Sequence, residues 1–335
     1  MEDEKPVVWD AHSCLPIEAD VTFGNLDRHR AVGFDFVSVN VAMDMTPLES
    51  TLKAIAYFRE CIRHNSGKYM LATTVADVET AKRTGRLAIS FDIEGAECLL
   101  GRPEMVGLYA DLGVRQMHLA YNLNNAYAGG CHDNDGGLTE LGRAVVEAAN
   151  HYGVTMDCSH SGHRSSLEIM ELSSKPVVFS HSNPLALAES KRNITDEQIL
   201  ACASTGGVVG ICGYSRFLGA IPSTGEDMAR HIDYVAKLAG VEHVGIGWDY
   251  TYPHEGIELA ASAGEYRKYF IDATMNEDEG VSDNDAYTPL EHRTVICDAL
   301  EGMGYRSAEI DHIMGGNFLR VARESWPPQA TTRAS

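Results

Sequence analysis

No apolar run in this 335-residue chain approaches the ~20 residues of a membrane-spanning helix, and mean hydropathy is −0.18. The start, Met1-Glu2-Asp3-Glu4-Lys5, lacks the basic and apolar regions of a secretory signal, so a cytoplasmic protein is expected. Positive charge is scarce. Lys and Arg number 27 against 48 Asp and Glu, a formal net charge of −21. That balance argues against nucleic acid or an anionic membrane as partner. It leaves the substrate open, because a bound metal reverses the local field. The eight cysteines, at 14, 61, 98, 131, 158, 202, 212 and 297, form no Cys-x-x-Cys pair and no dense framework. Most are expected to be reduced and buried. Internal repeats and long linkers are also missing, so residues 1–325 read as a single domain and 326–335 as a flexible tail.

What is present is apolar material, 44% of residues, cut into short segments. Eight β-rich runs occur: Val7–Asp10, Phe34–Val41, Leu87–Ile93, Val114–Ala120, Val154–Asp157, Pro176–Ser180, Gly207–Cys212 and His243–Gly247. Helical segments alternate with them. Thr46-Pro47-Leu48-Glu49 and Thr195-Asp196-Glu197-Gln198 carry a capping signature, and Gly153, Gly206 and Gly240 close helices. Eight strand signals alternating with helices predict a (β/α)8 TIM barrel, with a doubly wound sheet as the competing arrangement. Residues 262–287 read as a polar insertion.

Chemistry-bearing residues fall where the runs end. His12 and Cys14 follow the first, Glu94 the third and Tyr121 the fourth. His160 follows the fifth, His181 the sixth and Asp249 the eighth. In a barrel those ends share one face, and imidazoles with carboxylates gathered there suit a hydrolytic metal site. Each residue alone has an ordinary role: Glu94 as a helix-start carboxylate, Asp249 as a turn cap, Cys14 as a small buried residue. Recurrence at successive strand ends is the argument. His118 is expected inside the barrel, hydrogen-bonded. Cys131 and His132 belong to a glycine-rich loop covering the site, and His254 to a solvated loop.

The words "FDIEGAE", "GVTMDCSHSG", "KPVVFSHSNP", "SKRNITDEQI", "VGIGWDY" and "GGNFLRV" occur in order along nearly the whole chain. With them it resembles the membrane (renal-type) dipeptidases, zinc peptidases with an amidohydrolase-like barrel. The resemblance implies a binuclear Zn²⁺ site in which Glu94 bridges the ions. His160 and His181 complete one ion's shell, and His12 with residue 14 holds the other. It also implies Arg192 on a substrate carboxylate, Asp249 as general acid/base, and a small-molecule or dipeptide substrate; a homodimer is an assembly it allows. Two positions depart from the family pattern. Cys14 stands where the family has Asp, and Tyr121 where it has a His that meets the developing oxyanion. Thiolate is a competent zinc ligand, and Tyr donates one hydrogen bond without positive charge. Tyr121 is therefore expected to touch both substrate and oxyanion. Hydrolysis of an N-substituted amino acid, and a non-catalytic homologue with a partly degraded metal site, remain open as alternatives.

Overall fold

The computed structural model describes residues 6–18, 21–252, 269 and 287–328. His254 and the polar segment 262–287, apart from Tyr269 and Tyr287, lie outside the described residues. The apolar runs form parallel strands: β1 (Trp9–Cys14), β2 (Phe36–Met43), β3 (Tyr69–Leu71), β4 (Leu87–Glu94) and β5 (Val114–His118). These are followed by β6 (Thr155–Asp157), β7 (Val209–Ile211), β8 (Val244–Ile246) and β9 (Tyr250–Thr251). Every residue of β4 and β5 is buried, as expected for strands covered on both faces.

Bonded neighbours run β6–β5–β4–β2–β1–β9, and β7 pairs with β8. Residues 176–180, expected as a strand, make two single bridges instead: Val178 to Asp157 and Phe179 to Val209. They still join β6 to β7. The circuit returns to β1 through Asp249 N, which donates to His12 O at 2.8 Å. Close approach explains the glycine beside that sixth position. A Cβ on Gly247 would lie 1.6 Å from Ser180 O, so only glycine lets the eighth strand pass there. This is the (β/α)8 barrel expected from the sequence. Sequence reasoning missed β3, which pairs with the first half of β4, and the two-residue β9.

Helix starts follow local chemistry, with one departure. At Asp196–Ser204, Thr195 and Gln198 make both bonds of the capping box. Glu140–Tyr152 begins with Thr139 Oγ1 accepting from Gly142 N and ends at left-handed Gly153. Thr46 does not cap Leu48–His64. Pro47 takes the capping place, leaving Thr46 one residue too early, and its hydroxyl accepts from Met43 N instead.

The N-terminal end of the barrel is plugged by aromatic side chains. Trp9 stacks on Phe36 at 3.6 Å, and Trp326 packs 5.7 Å from Trp9. Trp326, assigned to the tail from sequence, is buried and its Nε1 donates to Thr155 Oγ1. The ordered domain thus extends past 325. With that end closed, polar side chains collect at the other. All eight cysteines are free. Among the described residues no helix is long and apolar enough to cross a membrane.

Candidate metal centre at the strand C-termini

Strand alternation puts residues i and i+2 on one face. In β4 that sends Asp92 and Glu94 inward. In β1 His12 and Cys14 share the inner face, while a register irregularity between Asp10 and Ser13 leaves those two on the other side. There Asp10 Oδ2 accepts from Ser13 Oγ at 2.6 Å and lies 2.9 Å from His29 Nε2. Glu94 Oε1 is the meeting point: His160 Nε2 lies 3.0 Å away, and the Nε2 atoms of His12 and His181 each 3.4 Å. The Nε2 atoms of His160 and His181 are 2.9 Å apart, and the His12 and His181 rings stack at 4.1 Å. Cys14 Sγ is 3.3 Å and Asp249 Oδ1 3.7 Å from His12 Nε2. Four donor groups result among the described residues, and two of them, the Glu94–His160–His181 and His12–Cys14–Glu94 triads, share Glu94. Glu94 belongs to the barrel wall and caps no helix.

Partners behind the cluster turn its lone pairs inward. Asn122 Nδ2 donates to Tyr269 O, which fixes the amide orientation, so Oδ1 faces His160 Nδ1 at 2.7 Å. Nδ1 of His160 therefore carries the proton and Nε2 the lone pair. His12 Nδ1 faces Asp92 Oδ1 at 3.1 Å, the carboxylate–histidine arrangement that raises ligand basicity. Ser180 Oγ meets His181 Nδ1 at 2.7 Å, and Asn40 Nδ2 donates to Glu94 Oε2. These four supporting residues were missed from sequence. Asp92 was legible, as the residue two before Glu94 on an inward-facing strand.

The backbone is bent to hold this arrangement. Four described non-glycine residues have left-handed φ, and three sit here: Asn122 at 60°, His160 at 67° and Asp249 at 58°. Such conformations cost about 1–3 kcal/mol each and cluster at functional sites. Asp44 steadies the neighbouring loops. Its carboxylate accepts from Tyr121 N, Asn125 Nδ2 and Glu97 N.

Burial pushes the Glu94 carboxyl up to about 7 and the Cys14 thiol up to about 12, against the opposing pull of His12. Burial, with Arg192 and neighbouring imidazoles, keeps His160 and His181 well below the usual histidine range. Neutral imidazoles with converging lone pairs, beside groups that a cation would ionise, form a donor set that fits a divalent metal. For His12, burial is outweighed by Asp92 and Glu94, so its affinity for a proton is raised.

Arg192 is 4% exposed. Its Nη2 donates to His181 O at 3.2 Å, and its guanidinium lies over the Phe217 ring at 5.4 Å. No carboxylate of the described residues pairs with it. Asp249 Oδ2 accepts from the Cys212 thiol, and burial raises Asp249 against the fields of His12 and Arg192. Tyr121 stacks on His160 at 4.2 Å. Every residue singled out for the site from sequence therefore converges at this end of the barrel. In the covering loop, Cys131 Sγ donates to Asn122 Oδ1, outside both triads.

Beneath the cluster His118, the last residue of β5, lies 2.7 Å from Asp157 Oδ2, with both side chains fully buried. Burial would raise Asp157, but His118 and the bonds from Ser180 N and Ser159 N bring it down to about 2. The unfolded value is ~3.9, so the stabilisation is complete above about pH 4 and lost as pH falls toward 2. Breaking one partner of such a pair costs about 3–5 kcal/mol. In metal-free protein, urea denaturation should show Asp157→Asn less stable than wild type at neutral pH. The gap should narrow below pH ~4. A constant gap would contradict the pairing.

A parallel-stranded barrel with imidazoles and carboxylates gathered at its strand C-termini defines an amidohydrolase-type metallohydrolase. Residues 27–270 match the family described as membrane dipeptidase (peptidase family M19), and the chain belongs to that family. It is 31% identical over 259 residues to dipeptidase verJ of Clonostachys rogersoniana, covering 76% of this chain and 62% of that one. An uncharacterised dipeptidase of Schizosaccharomyces pombe is 28% identical over 290 residues, covering 84% of this chain and 63% of the relative. The chain thus spans under two thirds of either relative's length. An amidohydrolase from Pseudomonas aeruginosa superposes with a TM-score of 0.82 at 26% identity, over 96% of this chain and 97% of the other.

Proposed function

We propose that this chain hydrolyses dipeptides, or similar small amides with a free carboxylate, at a zinc centre. The observation that carries the reading is the convergence of three imidazole Nε2 atoms on Glu94 Oε1, beside a buried arginine that pairs with no carboxylate of the described residues. Glu94 would lie between two ions, with His160 and His181 on one and His12 and Cys14 on the other. A bound divalent ion supplies the Lewis acidity that polarises an amide carbonyl and acidifies water.

The chain's own groups do the rest. Arg192 receives the substrate carboxylate, a role suited to a guanidinium fork, and so fixes which amide faces the cluster. Asp249, with one oxygen toward His12 and the other held by Cys212, takes a proton from the attacking water and passes it to the departing amine. The phenol of Tyr121 donates to the oxygen on which negative charge develops. Cys14 gives one position a soft sulfur donor, which shifts its metal preference toward thiophilic ions.

The test is turnover of a dipeptide panel before and after chelation. We expect hydrolysis to vanish with the metal and return on adding zinc. Turnover by protein shown to be metal-free, or none across the panel with zinc supplied, would overturn the proposal.

A further inference from the structure

One cavity reaches outward from His160 and Arg192, between the covering loop and the segment after residue 181. Its volume is about 190 Å³, far beyond the ~10–15 Å³ that holds one water. Its lining has a one-sided character. Among the described residues Lys191 and Arg192 both contribute, and no Asp or Glu does, in a chain whose formal charge is −21. Two lining side chains carry buried atoms without a partner among the described residues: Ser161 Oγ, which can donate to a ligand, and Asn193 Oδ1, which can only accept and so gives a carboxylate nothing. The Asn193 amide nitrogen is fully engaged, by Ala188 O and Phe217 O. Ser161 is fixed in place by its bridge to Gly130 and by Ser161 N donating to Cys158 O. Lys191 Nζ reaches across to His132 O at 3.3 Å, which places an ammonium beside the covering loop.

We infer that this cavity takes an acidic side chain on the carboxyl-terminal residue of the substrate. The inference rests on the dipeptidase reading and names its substrate class. With the α-carboxylate on Arg192, the side chain of that residue points away from the cluster into the cavity. A second carboxylate there accepts from Ser161 Oγ and is balanced by Lys191, whereas a neutral apolar side chain leaves Ser161 unsatisfied. Charge-assisted hydrogen bonds contribute about 1.5–3 kcal/mol each, so the preference for an acidic over an apolar side chain should be about tenfold or more.

Two measurements on the zinc-loaded full chain separate this from the dipeptidase reading. The first is kcat/KM for Ala-Asp, Ala-Asn, Ala-Leu and Ala-Ala, with both enantiomers of the second residue. The second is calorimetric binding of free aspartate and alanine. We expect Ala-Asp of one enantiomer to exceed Ala-Leu by about tenfold or more, and aspartate to bind more tightly than alanine by a similar factor. Ser161→Ala and Lys191→Met should each erode both differences while leaving Ala-Ala turnover unchanged. Hydrolysis without an acidic preference, or variants that slow Ala-Ala and Ala-Asp equally, would overturn the pocket and spare the dipeptidase. An Asn preference equal to Asp would also overturn it, as a pocket for amides. Aspartate binding that depends on Ser161 and Lys191, with no dipeptide cleaved, would keep the pocket and remove the peptidase.

Discussion

Glu94→Gln should empty the metal centre and reduce kcat/KM by about 10³-fold or more, the scale on which catalysis is lost when a charged group essential to the transition state is neutralised. The substitution keeps the side chain's shape and removes only charge and one acceptor. Three Nε2 atoms lie within 3.4 Å of Glu94 Oε1, and Glu94 is the residue that the Glu94–His160–His181 and His12–Cys14–Glu94 triads share. Burial already resists a charge at this position, holding the carboxyl up to about 7; the neutral amide is therefore accommodated, and the fold should survive. Metal per chain by elemental analysis, with circular dichroism for the fold, checks this. A folded Glu94→Gln protein with wild-type metal content and turnover would contradict it.

Asp249→Asn should separate metal binding from chemistry. Metal content should stay at the wild-type level while kcat falls about 10²–10⁴-fold, the range for loss of a positioned acid/base. The pH profile carries a second signature. Asp249 must be ionised to accept a proton, and burial raises it above the ordinary carboxylate range. Wild-type activity should therefore fall on the acid side at a higher pH than an ordinary carboxylate would set. In Asp249→Asn that limb should be lost from whatever activity remains. Full activity in the variant would move the proton transfer to another group.

Much of this site was readable in the sequence because a barrel converts a one-dimensional pattern into proximity. His12, Glu94, His160, His181 and Asp249 recur at the ends of successive apolar runs, and parallel packing makes those ends neighbours. The supporting residues were less legible. Asp92 could be found by alternation from Glu94 within β4. Asn122 could not, because its contact with His160 depends on a left-handed turn that the loop sequence "YNLNN" does not specify. The His118–Asp157 pair joins β5 to β6, and its partner identity depends on strand register rather than on any local word. Boundaries failed where tertiary packing overrode local preference. Residues 176–180 bridge β6 and β7 only through Val178 and Phe179, and Trp326 is drawn from the tail by the aromatic plug at Trp9 and Phe36.

Cys14 remains the most distinctive residue of the chain, a sulfur beside His12 and Glu94 where the family's pattern has oxygen. A zinc-soaked crystal structure with anomalous scattering tests the metal centre and this sulfur together. The expected result is an ion bonded to Glu94, His160 and His181 at about 2.0–2.2 Å, and a second with Cys14 Sγ at about 2.3 Å. Absence of any anomalous peak at saturating zinc, with the imidazoles still joined to Glu94 by hydrogen bonds, would contradict the account.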